Sequence, residues 1–258
     1  ADVCVWCEAQ SIYRSGTADR MPEADRYLVG NWGELAVRYG HKYWYVGGHR
    51  DNFPQVITSK YPIENVERIV GEEPDSVVTH GAGWARIVKN GRTVNIVTLH
   101  LWPQAYAYRA TDVAASRDAH EGDRYRRLEI EYICRHTIGT APRAAEELWV
   151  MLGDNNSWSR LDNWFYKCPE DDPRLLTQDY VLEHTPYVDV IARQHPGRFQ
   201  TTTHSEKRID FVYCTPVLYD CVTPKWFATT IPSRCAIRRN CRISGTRRIT
   251  GRSWWTSI

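Results

Sequence analysis

Short apolar runs that end on a single polar side chain recur along these 258 residues, and they constrain the fold more than any other feature. The clearest is Leu148-Trp149-Val150-Met151-Leu152, which closes on Gly153-Asp154-Asn155-Asn156. A five-residue apolar run followed by turn formers reads as a strand. Asn95-Ile96-Val97-Thr98-Leu99 closes on His100 in the same way, and Val5-Trp6-Cys7 closes on Glu8. Asp210 sits inside Ile209-Asp210-Phe211-Val212-Tyr213. Strands gathered into a sheet can aim such end residues into one shared cleft.

The rest of the chain supplies elements to match. Val3–Cys7 reads as a buried strand, and Pro22 to Tyr39 as a helix started by proline and stopped by Gly40. Further strands are predicted at Tyr43–Val46, Gln55–Ser59, Val66–Val70, Ser76–Thr79, Trp84–Val88, Val94–His100, Phe199–Thr202 and Ile209–Tyr213. Residues 111–136 carry a helical pattern built on Tyr125, Leu128 and Tyr132. No repeat of solenoid period and no low-complexity linker interrupts the chain, so residues 1–258 read as a single domain mixing strands and helices.

Composition narrows the function. A formal net charge of +2 gives no electrostatic argument for a dedicated nucleic-acid binder. No apolar run approaches the ~18 residues that span a bilayer, so the chain reads as soluble, with its compartment, cytoplasmic or exported, left open. The nucleophile elbow, the phosphate-binding P-loop and the zinc-protease helix motif are all absent. Cys4 and Cys7 have metal-ligand spacing but no second pair, and buried apolar thiols are the preferred reading. Eleven Trp and fifteen Tyr are numerous enough to line a cleft, although aromatics mostly fill cores. Trp102, two residues after His100, is the candidate substrate wall. Arg208 is a candidate phosphate contact, since strand alternation would point it away from Ile209. Arg124, Arg126 and Arg127 read as the solvated face of a polar helix or as a phosphate patch.

Taken in order, strand-Glu8, strand-His100-Leu101, Gly153-Asp154-Asn155-Asn156 and Arg208-Ile209-Asp210-Phe211 resemble the succession of motifs in the endonuclease/exonuclease/phosphatase, or DNase I-like, superfamily. Ser59-Lys60-Tyr61-Pro62-Ile63 resembles that family's Ser-[Arg/Lys]-x-Pro-[Ile/Leu] turn. The resemblance covers about residues 1 to 220. Asn155 stands where the family carries phenylalanine, and an extra leucine, Leu99, precedes His100. The resemblance implies an α+β fold, a four-layer α/β/β/α sandwich of two mixed β-sheets flanked by helices.

It also implies roles. Glu8 would hold Mg²⁺ or Mn²⁺, hard cations that take oxygen ligands. Asp154 and Asn156 would position the attacking water and a phosphate oxygen, and His100 would donate to a phosphoryl oxygen. Asp210 would orient a second histidine serving as general base. The implied activity is divalent-metal-dependent hydrolysis of a phosphodiester or phosphomonoester by a monomer, with nucleic acid among the admissible substrates.

Two parts of the family pattern are missing. The first strand, which carries an asparagine beside the metal, should precede Ala1. The Ser-Asp-His motif that supplies the second histidine should follow Asp210, where no such motif occurs. The tail offers a physical reason. A gene string encoding Phe-Trp-His-Pro-Ser-Asp-His-Arg-Pro-Ile-Met-Val-Asp-Phe-Asp-Leu, read one base later, yields Ser244 to Ile258 residue for residue. A frame slip between about Lys225 and Cys241 would place residues 225–258 out of frame. It accounts together for the crowded arginines, the absence of acids after Asp220 and the Trp254-Trp255 pair. The competing reading of the tail is a basic arm for an acidic partner. The competing function is a catalytically impaired or inactive binding module on the same scaffold.

Overall fold

The computed structural model describes residues 1–9, 33, 36–38, 40–48, 53–72 and 76–221. The tail from residue 225 and most of the helix expected over Pro22–Tyr39 lie outside the described residues. Among the described residues, nine strands form two sheets. The smaller sheet is antiparallel, with β1 (Val3–Trp6) and β2 (Tyr43–Gly47) on either side of β3 (Gln55–Ser59). The larger sheet is mixed and runs β4 (Ile63–Ile69), β5 (Ala82–Lys89), β6 (Arg92–His100), β7 (Leu148–Asp154), β9 (Asp210–Cys214) and β8 (Val188–Asp189). The β6–β7 pair in it is parallel; its other pairings are antiparallel.

Side-chain alternation explains why the central strands read as continuous apolar runs. Ile96, Val150 and Leu152 face the smaller sheet and pack with Val3, Val5 and Ile57. Val97, Leu99 and Met151 face the other way, onto Ile130, Ile133 and Val181 of the helices. A sheet covered on both faces has no polar side to display. After α1 (Val113–Asp118), the helices α2 (Glu121–His136) and α4 (Leu176–His184) pack on that second face. The shorter helices are α3 (Asn163–Tyr166), α5 (Val190–Gln194) and α6 (Pro216–Asp220).

Three expected elements differ. The helix predicted across 111–136 breaks at Ala119 and His120, where His120 adopts φ +54°. The break lets Gly122 slide beneath the 104–105 backbone; its N–H donates to the Ala105 carbonyl at 2.9 Å. Ser76–Thr79 is not a strand, because Thr79 N–H donates to the Glu129 carboxylate and Val78 N–H to the Val70 carbonyl. Phe199–Thr202 is likewise a loop, closed on itself by Thr202 and Thr203 N–H donating to the Lys207 carbonyl.

Gly153 fixes the register that matters most. A Cβ there would lie 2.0 Å from the Leu99 carbonyl oxygen, a backbone atom of the neighbouring strand that cannot give way. Gly153→Ala should therefore lower stability by about 1–3 kcal/mol or more, the scale of core overpacking. Urea unfolding checks this; an unchanged midpoint would contradict the packing described.

Candidate active site

Parallel pairing of β6 with β7 puts His100 opposite Asp154, and antiparallel pairing of β7 with β9 puts Asp154 opposite Asp210. Three polar residues thus stand in one row across adjacent strands, at the end of the sheet where β6 and β7 stop. Glu8 reaches the row from the other sheet. It follows β1 in a left-handed conformation, φ +48°, which turns the chain sharply after Cys7. The Cys7 thiol, buried beneath, donates toward the Leu99 carbonyl at 3.7 Å and joins the two sheets here. One candidate ligand atom from each of Glu8, His100 and Asp154 lies within 4.8 Å of the others.

The loop after β7 is tightly held. Asn156 N–H donates to Asp154 Oδ1 at 2.9 Å, and Asn156 Nδ2 donates to the Leu101 carbonyl at 3.0 Å. Asn156 has φ +48°, a left-handed turn that asparagine tolerates better than most residues. Asn155, at the family's phenylalanine position, is buried; its N–H donates to the Ile209 carbonyl, fastening this loop to the approach to Asp210. Thr202 Oγ1 receives the N–H groups of Ile209 and Asp210.

The donor set suits a divalent cation. Glu8 and Asp154 offer carboxylate oxygens and His100 an imidazole nitrogen, a combination that Mg²⁺ accepts through the oxygens and Mn²⁺ through all three. The Cys7 thiol reports the local field. Burial pushes its pKa well above the ordinary thiol value, and the negative charges of Asp210, Asp154 and Glu8 push it further. A cation placed among these carboxylates would offset that field.

Two neighbours escaped the sequence reading. The His80 ring stacks on His100 with centroids 4.6 Å apart, and Phe53 meets both rings edge-on. Glu129 of α2 is fully buried. It accepts from Thr79 N–H (2.8 Å), Thr79 Oγ1 (2.6 Å) and Trp102 N–H (2.8 Å), so one carboxylate ties together the loops carrying His80 and Trp102. Arg126, one turn earlier, donates to the Trp102 and Gln104 carbonyls and pairs with Asp123. Arg126 is thus neither a solvated residue nor part of a phosphate patch. A usable signal existed, because Arg126 and Glu129 share the helical face of Ile130 and Ile133.

Arg208 requires correction. The strand begins only at Asp210, so alternation does not extend back to Arg208. The guanidinium is 1% exposed, donating to Asp162 at 2.6 Å and to Asp189 at 3.0 Å, with Phe211 4.4 Å from its centre. A group so enclosed is not available to a substrate phosphate. Trp102 is partly buried and lies beside the row through His80, ring centroids 6.3 Å apart. Among the described residues the cysteines take no part in the metal-type cluster; Cys4 packs with Trp6 and Val56.

No protein-family model and no curated protein matches the sequence. Solved structures do match, and they place the chain in the endonuclease/exonuclease/phosphatase, DNase I-like, fold. An AP endonuclease from Archaeoglobus fulgidus is 18% identical, with TM-score 0.52, over 85% of this chain and 78% of that one. A 3′ phosphatase from Neisseria, solved with a product DNA hairpin, is 15% identical with TM-score 0.53, over 85% and 78%. An endonuclease/exonuclease/phosphatase from Beutenbergia cavernae is 16% identical with TM-score 0.51, covering 83% of this chain and 55% of its own. Among the described residues no helix is long and apolar enough to cross a membrane.

Proposed function

We propose that this chain is a divalent-metal-dependent phosphoesterase that hydrolyses its ester by in-line attack of water. The observation carrying the reading is the convergence of Glu8, His100 and Asp154 within 4.8 Å, on a fold shared with nucleases and phosphatases. Glu8 and Asp154 would hold Mg²⁺ or Mn²⁺, with His100 within 4.8 Å of both. A cation bound there supplies charge neutralisation for the phosphoryl oxygens.

The chain's own groups do the rest. Asp154, already oriented by Asn156 N–H, accepts a hydrogen bond from the attacking water and aims it at phosphorus. The second Nδ2 hydrogen of Asn156 serves a non-bridging oxygen, the first being held by Leu101. His100, fixed by the ring packing of His80 and Phe53, donates to a phosphoryl oxygen where charge accumulates. Asp210 completes the row; the histidine base that such a residue would orient belongs to the Ser-Asp-His motif, which the sequence after Asp210 does not contain. Nucleic acid is the substrate class that the DNA-acting neighbours bring forward.

A binding module on the same scaffold is the second reading, favoured by the absence of a Ser-Asp-His motif after Asp210. Hydrolysis of bis-p-nitrophenyl phosphate with Mg²⁺ or Mn²⁺ separates the two. The chain would be assayed beside a version ending in the hidden frame and beside Asp154→Ala. Metal-dependent turnover, lost by roughly a thousandfold in Asp154→Ala, is expected from removing a residue that acts in the transition state. Silence from both folded forms, with monoesters also tried, would transfer the reading to the binding module.

A further inference from the structure

The segment following His100 is built like a recognition surface. Trp102 is held at both ends of its peptide unit, its N–H by Glu129 and its carbonyl by Arg126, while its indole N–H donates to the Tyr106 carbonyl at 2.6 Å. Tyr106 and Tyr108 meet the Trp102 ring edge-on, with centroids 5.9 and 5.2 Å away. Two exposed arginines cap the group: Arg109 lies 5.0 Å from the Tyr108 ring and Arg117 5.9 Å from the Tyr106 ring. His80 connects this wall to His100, stacking toward Trp102 on one side and on His100 at 4.6 Å on the other.

Core packing alone does not account for this arrangement. Tyr106 and Tyr108 are only partly buried, and they lie outside the main apolar cluster on that side of the sheet. The wall adjoins the place where the ester would be cleaved, and it is held by buried charged groups from α2. Aromatic faces interleaved with arginines suit a ligand that alternates flat rings with phosphates. Fixing such a surface in advance reduces the ordering that binding requires.

We propose that residues 102–109, with Arg117, form a subsite that stacks an unpaired nucleobase of a single-stranded nucleic acid beside the ester to be cleaved. The bases lie against Trp102 and Tyr108, and Arg109 and Arg117 meet the flanking phosphates. The substrate role rests on the phosphoesterase reading, but the binding does not require turnover.

The test is equilibrium binding of fluorescently labelled decathymidylate, with EDTA present, against an abasic tetrahydrofuran decamer of equal charge. Stacking predicts roughly tenfold tighter binding of the thymidylate. Trp102→Ala and, independently, Tyr108→Ala should erase that preference, each variant being first checked for an unaltered circular dichroism melt. The double variant Arg109→Ala/Arg117→Ala, on exposed positions, should weaken both probes alike and flatten the salt dependence. Equal affinity for the two probes, no binding of either, or a thymine preference that survives both aromatic substitutions overturns the subsite. Turnover of the chromogenic diester without a thymine preference would remove the subsite and leave the phosphoesterase reading standing. A thymine preference in a chain that never turns over would do the reverse.

Discussion

Arg208→Leu is expected to destabilise the protein by about 3–5 kcal/mol, the cost of breaking a buried ion pair from one side. The guanidinium bridges Asp162 and Asp189, whose side chains are 8% and 0% exposed. Its removal strands two carboxylates in the interior, near the start of β9. For a protein of this size the loss corresponds to a drop of roughly 6–20 °C in the unfolding midpoint. Adding Asp162→Asn and Asp189→Asn to the same chain should restore most of it. An amide oxygen at position 189 would still cap α5, where Asp189 now accepts from Ala192 N–H. A loss below about 1 kcal/mol in the single variant would contradict a structural role for Arg208.

Glu129→Ala should be comparably severe. It leaves the part-buried N–H groups of Thr79 and Trp102 without their acceptor, at up to about 1–3 kcal/mol for each. It also frees the loops that hold His80 against His100 and Trp102 beside His80, so activity should fall beyond what lost stability explains. The wild-type residue carries a pH signature. Burial raises the Glu129 carboxyl above the ordinary range, against the opposing pull of its hydrogen-bond donors. In the window between the ordinary and the raised value, the folded state binds more protons than the unfolded one. Stability from this group is therefore present below the window and declines as pH rises through it. Glu129→Gln removes that decline, and paired urea titrations across the acidic range would show it. Parallel pH profiles for the two proteins would contradict the buried, ionising carboxyl.

The contrast between these residues and the row of His100, Asp154 and Asp210 shows what sequence can convey here. Each member of the row sits at or near the end of an apolar run, and the order of the runs resembles a known family. Gln55–Ser59 was legible to the residue, and Leu148–Leu152 needed only Gly153 and Asp154 added. The strand predicted at Val66–Val70 starts three residues earlier, at Ile63, with a register shift between Glu64 and Glu67.

Arg208 was not legible, and Glu129 only through the face of its helix, because their partners are set by tertiary packing. Glu129 bonds to Thr79 from 50 residues away, and Arg208 to Asp162 from 46. On a helix already dense with charge, a buried glutamate looks like any solvated one unless its face is compared with Ile130 and Ile133. Arg208 was misplaced by extending strand alternation two residues beyond the ladder. His80 gave no local signal, since its meaning comes from the His100 ring against it.

Glu8, from one sheet, and Asp154, from the other, would hold a divalent cation beside His100. Titrating Mn²⁺ into the chain and following the free ion by electron paramagnetic resonance tests this most directly, without depending on substrate or turnover. Stoichiometric binding is expected, weakened roughly ten- to a hundredfold or lost in Glu8→Gln and in Asp154→Ala, and competed by Mg²⁺. Mn²⁺ binding of equal strength in the wild-type chain and both variants, or none in a well-folded chain, would contradict it.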